Sequence, residues 1–138
     1  MNIWNINGPN LNTLGRREPD IYGNMSFENY HADLQQQFAT HNIMAFQSNE
    51  EGELVFLLQQ AGENADAVIL NAAAFTHTSI AIADAVRSLY IPVIEVHLSN
   101  IFARESYRHT SYLSPVCKGV ISGFGLDSYR LAIENLIR

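Results

Sequence analysis

The sequence predicts an α/β fold in which a parallel sheet of five strands lies between two layers of helices. Short apolar runs alternate along the chain with longer segments whose apolar residues recur at helical spacing. One of the short runs, residues 67–70, is apolar without interruption, which is typical of a strand covered on both faces. A chain of 138 residues is also long enough to bury a core.

The strand pattern also indicates the order of the sheet. The predicted strands lie at residues 2–6, 43–47, 67–70, 92–97 and 119–122. Five strands at this chain length suggest the flavodoxin-like order 2-1-3-4-5. No linker, composition shift or internal repeat interrupts the chain, so residues 1–138 are predicted to form one domain.

Apolar periodicity marks four helices, within residues 27–40, 53–61, 80–90 and 129–137. Ser26 is the predicted N-cap of the first helix, and Asp127 that of the last. Gly62 is a candidate C-cap for the second helix. In the third helix the predicted buried stripe begins at Ile80 and ends at Tyr90.

Charge and cysteine content restrict the class of protein. Eight basic and fourteen acidic residues give a net charge of −6, which argues against nucleic acid or an anionic membrane as the main partner. A small anionic ligand stays possible because the few arginines are clustered. The single Cys117, predicted to fill space beside a strand, fits a reducing compartment. Without a signal peptide pattern or a membrane-length apolar run, a soluble, cytoplasmic protein is predicted.

The segment at residues 7–23 combines turn formers with unusual polar residues. Arg16 and Arg17 are followed five residues later by Tyr22. Because nearby cations favour the phenolate, they would lower the pKa of Tyr22 toward the range of a useful base. The alternative interpretation is a basic, solvated loop with a tyrosine packed at its edge.

In an open parallel sheet the functional site lies at the carboxyl ends of the strands, near a switch in strand order. The polar residues that the predicted topology brings to this edge are Asn10, Arg17, Tyr22, Asn71, His77, Glu95, His97, Ser99 and Arg108. So many unusual polar residues at one edge indicate a site rather than scatter.

Glu95 and His97 form the strongest pair within that set. Two residues apart on a strand, they point to the same face, so the carboxylate can accept a hydrogen bond from one ring nitrogen. The other nitrogen is then ready to give or take a proton. The alternative is a structural ion pair, but burying a glutamate in an apolar strand is costly, which favours function.

Three other candidate residues, two at this edge and one in the third helix, have simple structural interpretations. His77 resembles a helix-capping or loop histidine, Arg108 could pair with Glu105 on the surface, and Asp84 could be solvated. The HxH, HExxH and CxxC patterns are absent, and neither a dinucleotide fingerprint nor a P-loop is complete. Neither a metal nor another cofactor is therefore predicted.

Proteins with other functions can share such a fold, among them electron carriers, receiver domains and hydrolases. A flavin-binding electron carrier would need a Ser/Thr-rich phosphate loop after the first strand, where this chain has two arginines and a tyrosine. A receiver domain would need aspartates after the first and third strands, and a serine hydrolase would need a GxSxG turn. The sequence contains neither pattern.

Four segments carry a resemblance to a known family: NGPNLNTLGRREPDIYG, LNAAAFTHTSIAIADA, PVIEVHLSNIFARESYRHTSYLSP and KGVISGFG. In this order, over essentially the whole chain, they resemble type II 3-dehydroquinate dehydratase of the shikimate pathway. The resemblance implies anti elimination of water from 3-dehydroquinate to give 3-dehydroshikimate through an enolate, without a metal, Schiff base or other cofactor. Thr13, where a leucine is common, is a minor departure.

The resemblance also implies catalytic roles. Tyr22 would take the proton α to the carbonyl, and Arg17 would hold it as a phenolate. Asn10 would position a water against the enolate oxygen. His97 would protonate the departing hydroxyl group, and Glu95 would orient His97.

Substrate binding follows from the same resemblance. Asn71 and the backbone amides of Leu98 and Ser99 would bind the carboxylate and a neighbouring hydroxyl, while His77 and Arg108 would bind ring hydroxyls. Asp84 resembles a residue that reaches the site of a neighbouring subunit. The implied assembly is a homododecamer, a tetramer of trimers.

Overall fold

The structure, a computed structural model, describes residues 1–15, 20 and 25–138. The described part of the chain forms five strands and four α-helices. In chain order they are β1 (Asn2–Asn7), α1 (Phe27–Gln37), β2 (Asn42–Gln47), α2 (Glu51–Asn64), β3 (Ala67–Asn71), α3 (Ile80–Arg87), β4 (Val93–His97), β5 (Gly119–Ser122) and α4 (Asp127–Leu136).

All strand pairs in the sheet are parallel, and the order is β2-β1-β3-β4-β5, as the sequence predicts. Asn7 at the end of β1 is level with Asn71 at the end of β3. The chain leaves β1 toward one edge of the sheet and leaves β3 toward the other. The switch in strand order therefore lies between the carboxyl ends of β1 and β3, where such folds bind ligands.

Each face of the sheet has its own core. On one face, α1 and α4 bury side chains such as Leu34 and Ile133 against Ile69. On the other, α2 and α3 bury Leu58 and Val86 with their neighbours. Residues 67–71 of β3 are buried throughout, which is the reason why this strand is apolar along almost its whole length.

Local capping explains where two of the helices begin. The Ser26 hydroxyl accepts a hydrogen bond from the amide of Asn29 at 3.2 Å, so Ser26 caps α1 as predicted. Ser79 accepts from the amide of Ile82 at 2.9 Å and caps α3. In both helices a serine hydroxyl therefore accepts a hydrogen bond from a backbone amide of the first turn.

Other predictions about helix ends and faces are wrong. Gly62 lies inside α2, which continues to Asn64; a Cβ there would come within 2.9 Å of the Leu89 side chain. Leu126, not Asp127, is the N-cap of α4. Ile80 is 63% exposed although it is the first residue of α3, because the buried side chains of this helix begin only at Ile82. Tyr90 is fully exposed because α3 ends before it, at residue 87.

Candidate active site

A cavity of about 160 Å³ opens at the carboxyl ends of β1, β3 and β4. Its walls come from the turn after β1, from a 3₁₀ turn at Ala73–His77, and from the segment after β4. The lining residues are Pro9, Asn10, Leu11, Asn71, Ala73, Ala74, His77, His97, Leu98, Ser99, Ile101, Arg104 and Arg108. The cavity therefore sits at the switch in strand order, where the sequence predicts the site.

Most of the predicted site residues with described positions lie around this cavity. Those that line it are Asn10, Asn71, His77, His97, Leu98, Ser99 and Arg108. Glu95 lies on β4 behind His97, and Asp84 lies on α3 and does not line the cavity. Arg17 and Tyr22 lie outside the described residues.

His97 and Glu95 make the hydrogen bond that their spacing predicts. Nε2 of His97 faces Oε2 of Glu95, and both side chains are buried. Because an ionised carboxylate only accepts hydrogen bonds, Nε2 carries the proton of this contact. Nδ1 is then the ring nitrogen that can exchange a proton with another molecule.

The carboxylate of Glu95 is buried completely but has several donors. Ser114 Oγ donates to Oε1 at 2.7 Å, and Ser111 Oγ lies 3.1 Å and 3.0 Å from the two carboxylate oxygens. Burial is the largest influence and raises the pKa of Glu95, but the hydrogen bonds and the charge of His97 together bring it below 4.5. Glu95 is therefore an anion beside the imidazole.

His77 is held in a different way. Its Nδ1 lies 2.7 Å from the backbone carbonyl oxygen of Thr110, which only accepts, so Nδ1 carries the proton. Burial is the main reason why the pKa of His77 is lowered from 6.5, and the nearby His97 and Arg108 lower it further. The neutral ring thus presents Nε2 as an acceptor, with its centroid 6.2 Å from that of His97.

Two arginines border the cavity. Nε of Arg108 lies 2.6 Å from Oε2 of Glu105, so the surface pair considered for Arg108 is present, yet Arg108 also lines the cavity. Arg104 lines it too, and its Nη1 lies 3.4 Å from Ser99 Oγ. The sequence analysis assigned Arg104 no role. The only feature that could have indicated one is that Arg104 is a basic residue in the loop after β4.

Asn71 is oriented by groups beneath the cavity. Its Oδ1 accepts from the amide of Ala73 at 3.2 Å, and its Nδ2 donates to the hydroxyl of Tyr129 at 3.0 Å. That hydroxyl donates in turn to Oδ1 of Asn7 at 2.6 Å. One N–H of Asn71 is left for a ligand. Tyr129 was predicted only as an inner-face residue of the last helix, since spacing cannot reveal its polar contact.

Asn10 adopts a left-handed backbone conformation, with φ of 71°. Asparagine tolerates this conformation better than most residues with a side chain. The amide of Asn10 donates to Oδ1 of Asn49 at 3.0 Å, and Gln47 Nε2 donates to the same oxygen at 3.1 Å. The turn after β1 is therefore attached to the segment that follows β2.

The segment after β4 is held by its carbonyl groups. The carbonyl of Leu98 accepts from the amide of Gly125 at 2.8 Å, and that of Ser99 accepts from Ser122 Oγ at 3.0 Å. These contacts orient the backbone of Leu98 and Ser99 at the cavity wall. Asp84 is different, because its carboxylate is exposed and pairs with Arg87 at 2.8 Å.

Two absences hold within the described ranges. In residues 1–15, 20 and 25–138, no group of three or more His, Cys, Asp and Glu side chains is placed to bind a metal ion. Over the same ranges, no helix has the length and apolar character needed to cross a bilayer.

A buried carboxylate behind an imidazole, in a cavity at the switch point of a parallel α/β sheet, is typical of enzymes that transfer protons. Residues 1–137 match the family model described as dehydroquinase class II. The chain therefore belongs to the class II dehydroquinase family.

Individual relatives agree with this assignment. A 3-dehydroquinate dehydratase from an Exiguobacterium species is 53% identical over 99% of this chain and 94% of its own length. One from Hyphomonas neptunium is 51% identical over 99% of this chain and 92% of its own length. The crystal structure of a type II dehydroquinase from Butyrivibrio crossotus has a TM-score of 0.96 and 43% identity, and covers 100% of this chain and 98% of that one. No relative named here supports the electron-carrier alternative.

Proposed function

We propose that this chain is a type II 3-dehydroquinate dehydratase, a hydro-lyase that converts 3-dehydroquinate into 3-dehydroshikimate in the shikimate pathway. The observation that carries the proposal is the His97–Glu95 pair, which lies at the same cavity as Asn10, Asn71 and His77. The family match over residues 1–137 supports the choice of reaction.

The elimination needs a base, a stabiliser for the enolate and an acid for a poor leaving group. Tyr22, as a phenolate held by Arg17, takes the proton α to the ketone. A water positioned by Asn10 stabilises the enolate oxygen. These roles of Tyr22 and Arg17 rest on the family resemblance, since both lie outside the described residues.

His97 supplies the acid. Its Nε2 is engaged by Glu95, so Nδ1 gives the proton to the departing hydroxyl, which leaves as water. The buried anion stabilises the imidazolium from which the proton is lost. After the double bond forms, a proton returns from Tyr22 to His97 through solvent, and both groups regain their starting states.

The remaining groups position the ring. The free N–H of Asn71 and the amides of Leu98 and Ser99 bind the substrate carboxylate and its neighbouring hydroxyl. Neutral His77 accepts a hydrogen bond from a ring hydroxyl through Nε2, because Nδ1 is occupied by Thr110. Arg108 binds a second ring hydroxyl from the cavity wall.

A homododecamer built from trimers is part of the proposal, with Asp84 reaching the site of a neighbouring subunit. The exposed Ile80 and Tyr90, on the same side of the molecule as α3, support it because they offer apolar surface for a subunit contact. A cytoplasmic location is also proposed, since the single Cys117 fits a reducing compartment. Light scattering of the purified protein tests the assembly.

Adding 3-dehydroquinate to the purified protein tests the reaction directly. The conjugated enone of the product is expected to appear as a rise in ultraviolet absorbance. His97→Asn is expected to abolish the rise, whereas His41→Asn should keep it, because the His41 ring contacts the chain's amino terminus at 3.0 Å, away from the cavity. Unchanged turnover in His97→Asn would remove His97 from the acid role.

A further inference from the structure

Two serines outside every role assigned above hold the carboxylate of Glu95. Ser114 Oγ donates to Oε1 at 2.7 Å. Ser111 Oγ lies 3.1 Å from Oε1 and 3.0 Å from Oε2, and it accepts from the amides of Leu113 and Ser114, each at 3.0 Å. Because two amides donate to Ser111 Oγ, its only hydrogen is left for the carboxylate.

The contacts around Glu95 divide its two oxygens between different tasks. Oε1 faces Ser114, while Oε2 faces the imidazole of His97. Rotation of the carboxylate about its Cγ–Cδ bond would break both sets of contacts. The serines therefore fix the plane of the carboxylate and the angle at which it faces the ring.

We propose that Ser111 and Ser114 are positioning residues for the elimination: they keep Glu95 ionised and oriented, so that Glu95 holds His97 in its acid-competent form. The inference rests on the proposed role of His97 as the acid. Hydrogen bonds to a charged carboxylate are the strong ones, and they lower the pKa of Glu95 against the effect of its burial.

The segment at residues 110–114 serves both imidazoles of the cavity. The carbonyl of Thr110 accepts from His77, and the two serines act on His97 through Glu95. The amide of Tyr112 donates to the carbonyl of Thr76 at 3.0 Å, which attaches this segment to the turn that carries His77. One segment thus sets the tautomer of His77 and orients the carboxylate that His97 contacts.

Several titratable groups lie near Glu95, but among the described residues the neutral hydrogen-bond donors to its carboxylate are the two serines. His97 faces Glu95 from β4, and the charge of Glu95 acts to raise the pKa of His77 in the turn at Ala73–His77. Cys117, after the turn at Ser114–Val116, keeps its proton because burial and the charge of Glu95 raise its pKa to about 12. Arg108 is close enough to lower the pKa of His77 but pairs with Glu105.

Kinetics of Ser114→Ala test the inference. Loss of the donor is expected to lower kcat by about tenfold while KM stays within about twofold, because the reacting proton is affected and the binding groups are not. Ser114→Thr, which keeps the hydroxyl, should restore kcat to within about threefold of the wild-type value. Ser106→Ala, in an exposed serine of the same loop, is the matched control.

The same substitution in a Glu95→Gln background separates a positioning role from a structural one. If Ser114 acts through the carboxylate, Ser114→Ala should change the residual kcat of Glu95→Gln by less than about twofold. Should Ser114→Ala disturb folding, as judged by its thermal midpoint, Ser111→Ala and Ser111→Thr repeat the comparison.

Each outcome bears on a different claim. Normal kcat in both alanine variants, or an equal loss with and without Glu95, would overturn the role of the serines. Full activity of His97→Asn would overturn the proposed acid instead. A loss of kcat that needs Glu95 and is rescued by threonine supports the inference.

Discussion

Two imidazoles that border one cavity, His77 and His97, differ in the group that holds them. A backbone carbonyl accepts from His77, and burial keeps that ring neutral. A buried carboxylate accepts from His97. Both partners favour an imidazolium, but the carboxylate carries a net charge and stabilises it more strongly than the neutral carbonyl does. The same side chain is thereby suited to two tasks, acceptor and acid.

At the residue scale, Tyr22→Phe tests the base. We expect turnover to be lost while substrate affinity stays within about tenfold, because the phenolic oxygen reacts but the ring remains. Substrate binding by calorimetry and the enone assay measure the two effects. Tyr90→Phe, which removes the hydroxyl of a fully exposed tyrosine, is the control. Near-normal kcat in Tyr22→Phe would exclude Tyr22 as the base.

The lowered pKa of Glu95 also predicts that the free energy of unfolding depends on pH. Its pKa is lower in the folded state than its ordinary value of 4.5, so its contribution is present above pH 4.5 and is lost as the pH falls through the folded-state value. Glu95→Gln should therefore flatten the fall in the free energy of unfolding below pH 4.5. Urea unfolding at several pH values measures this effect.

Glu105 provides a comparison for that measurement. Its pKa is also lowered, mainly by Arg108, but the carboxylate is at the surface, where solvent screens the interaction. Glu105→Gln should change the pH dependence less than Glu95→Gln does. The opposite ranking would contradict the burial argument for Glu95.

At the scale of elements, the ends of β1 and β3 approach so closely that only glycine fits. A Cβ at Gly8 would lie 2.5 Å from the carbonyl oxygen of Ala72, and the amide of Gly8 donates to the carbonyl of Asn71 at 2.8 Å. This contact sets the distance between the turn that carries Asn10 and the turn after β3. The cavity wall depends on it.

We expect Gly8→Ala to destabilise the fold by about 1–3 kcal/mol, because backbone atoms must move apart. It should also weaken substrate binding, since Asn10 and Asn71 would separate. Gly52→Ala is the matched control: no atom lies within 4 Å of the added Cβ, and the helical site should gain up to about 1 kcal/mol. Urea unfolding midpoints and KM measure both variants. Equal stability of Gly8→Ala and the wild type would contradict the close approach.

Element types were easier to predict than their ends. The five strands and four helices of the described chain follow from apolar periodicity, which reflects burial on one or two faces. The end of α3 does not follow, because Tyr90 continues the helical spacing after the helix has stopped at residue 87. The C-cap predicted at Gly62 is wrong for another reason: this glycine lies within α2 and makes room for the Leu89 side chain rather than ending the helix.

At the scale of the whole molecule, several large apolar side chains are exposed. Among the described residues, Phe102 is 67% exposed and Phe124 63%, in addition to Ile80 and Tyr90 near α3. Single exposed apolar residues are common; Ile80 at the start of α3 and Tyr90 shortly after its end are the two that support the proposed contact near Asp84.

Mixing two inactive variants tests whether Asp84 acts across subunits. Asp84→Ala and His97→Asn are each expected to lose activity, and co-expression should restore part of it. An assembly can then combine an intact His97 from one chain with an intact Asp84 from its neighbour. Activity that stays absent after mixing, with assembly shown by light scattering, would contradict the shared site. Mixing Glu95→Gln with His97→Asn is the control, because both defects lie in the same subunit's site.

The sequence by itself determined the class of fold, the order of the strands and the family. Apolar periodicity reflects burial, and long motifs are continuous in the chain, so both can be recognised without a structure. The sequence also placed Glu95 and His97 on the same face of one strand, since alternation along a strand is a local rule. Only the tertiary structure decided that Ser111 and Ser114 bind Glu95, that Tyr129 orients Asn71, and that Arg104 lines the cavity. Those contacts join residues far apart in the chain, and their partners depend on how loops and helices pack.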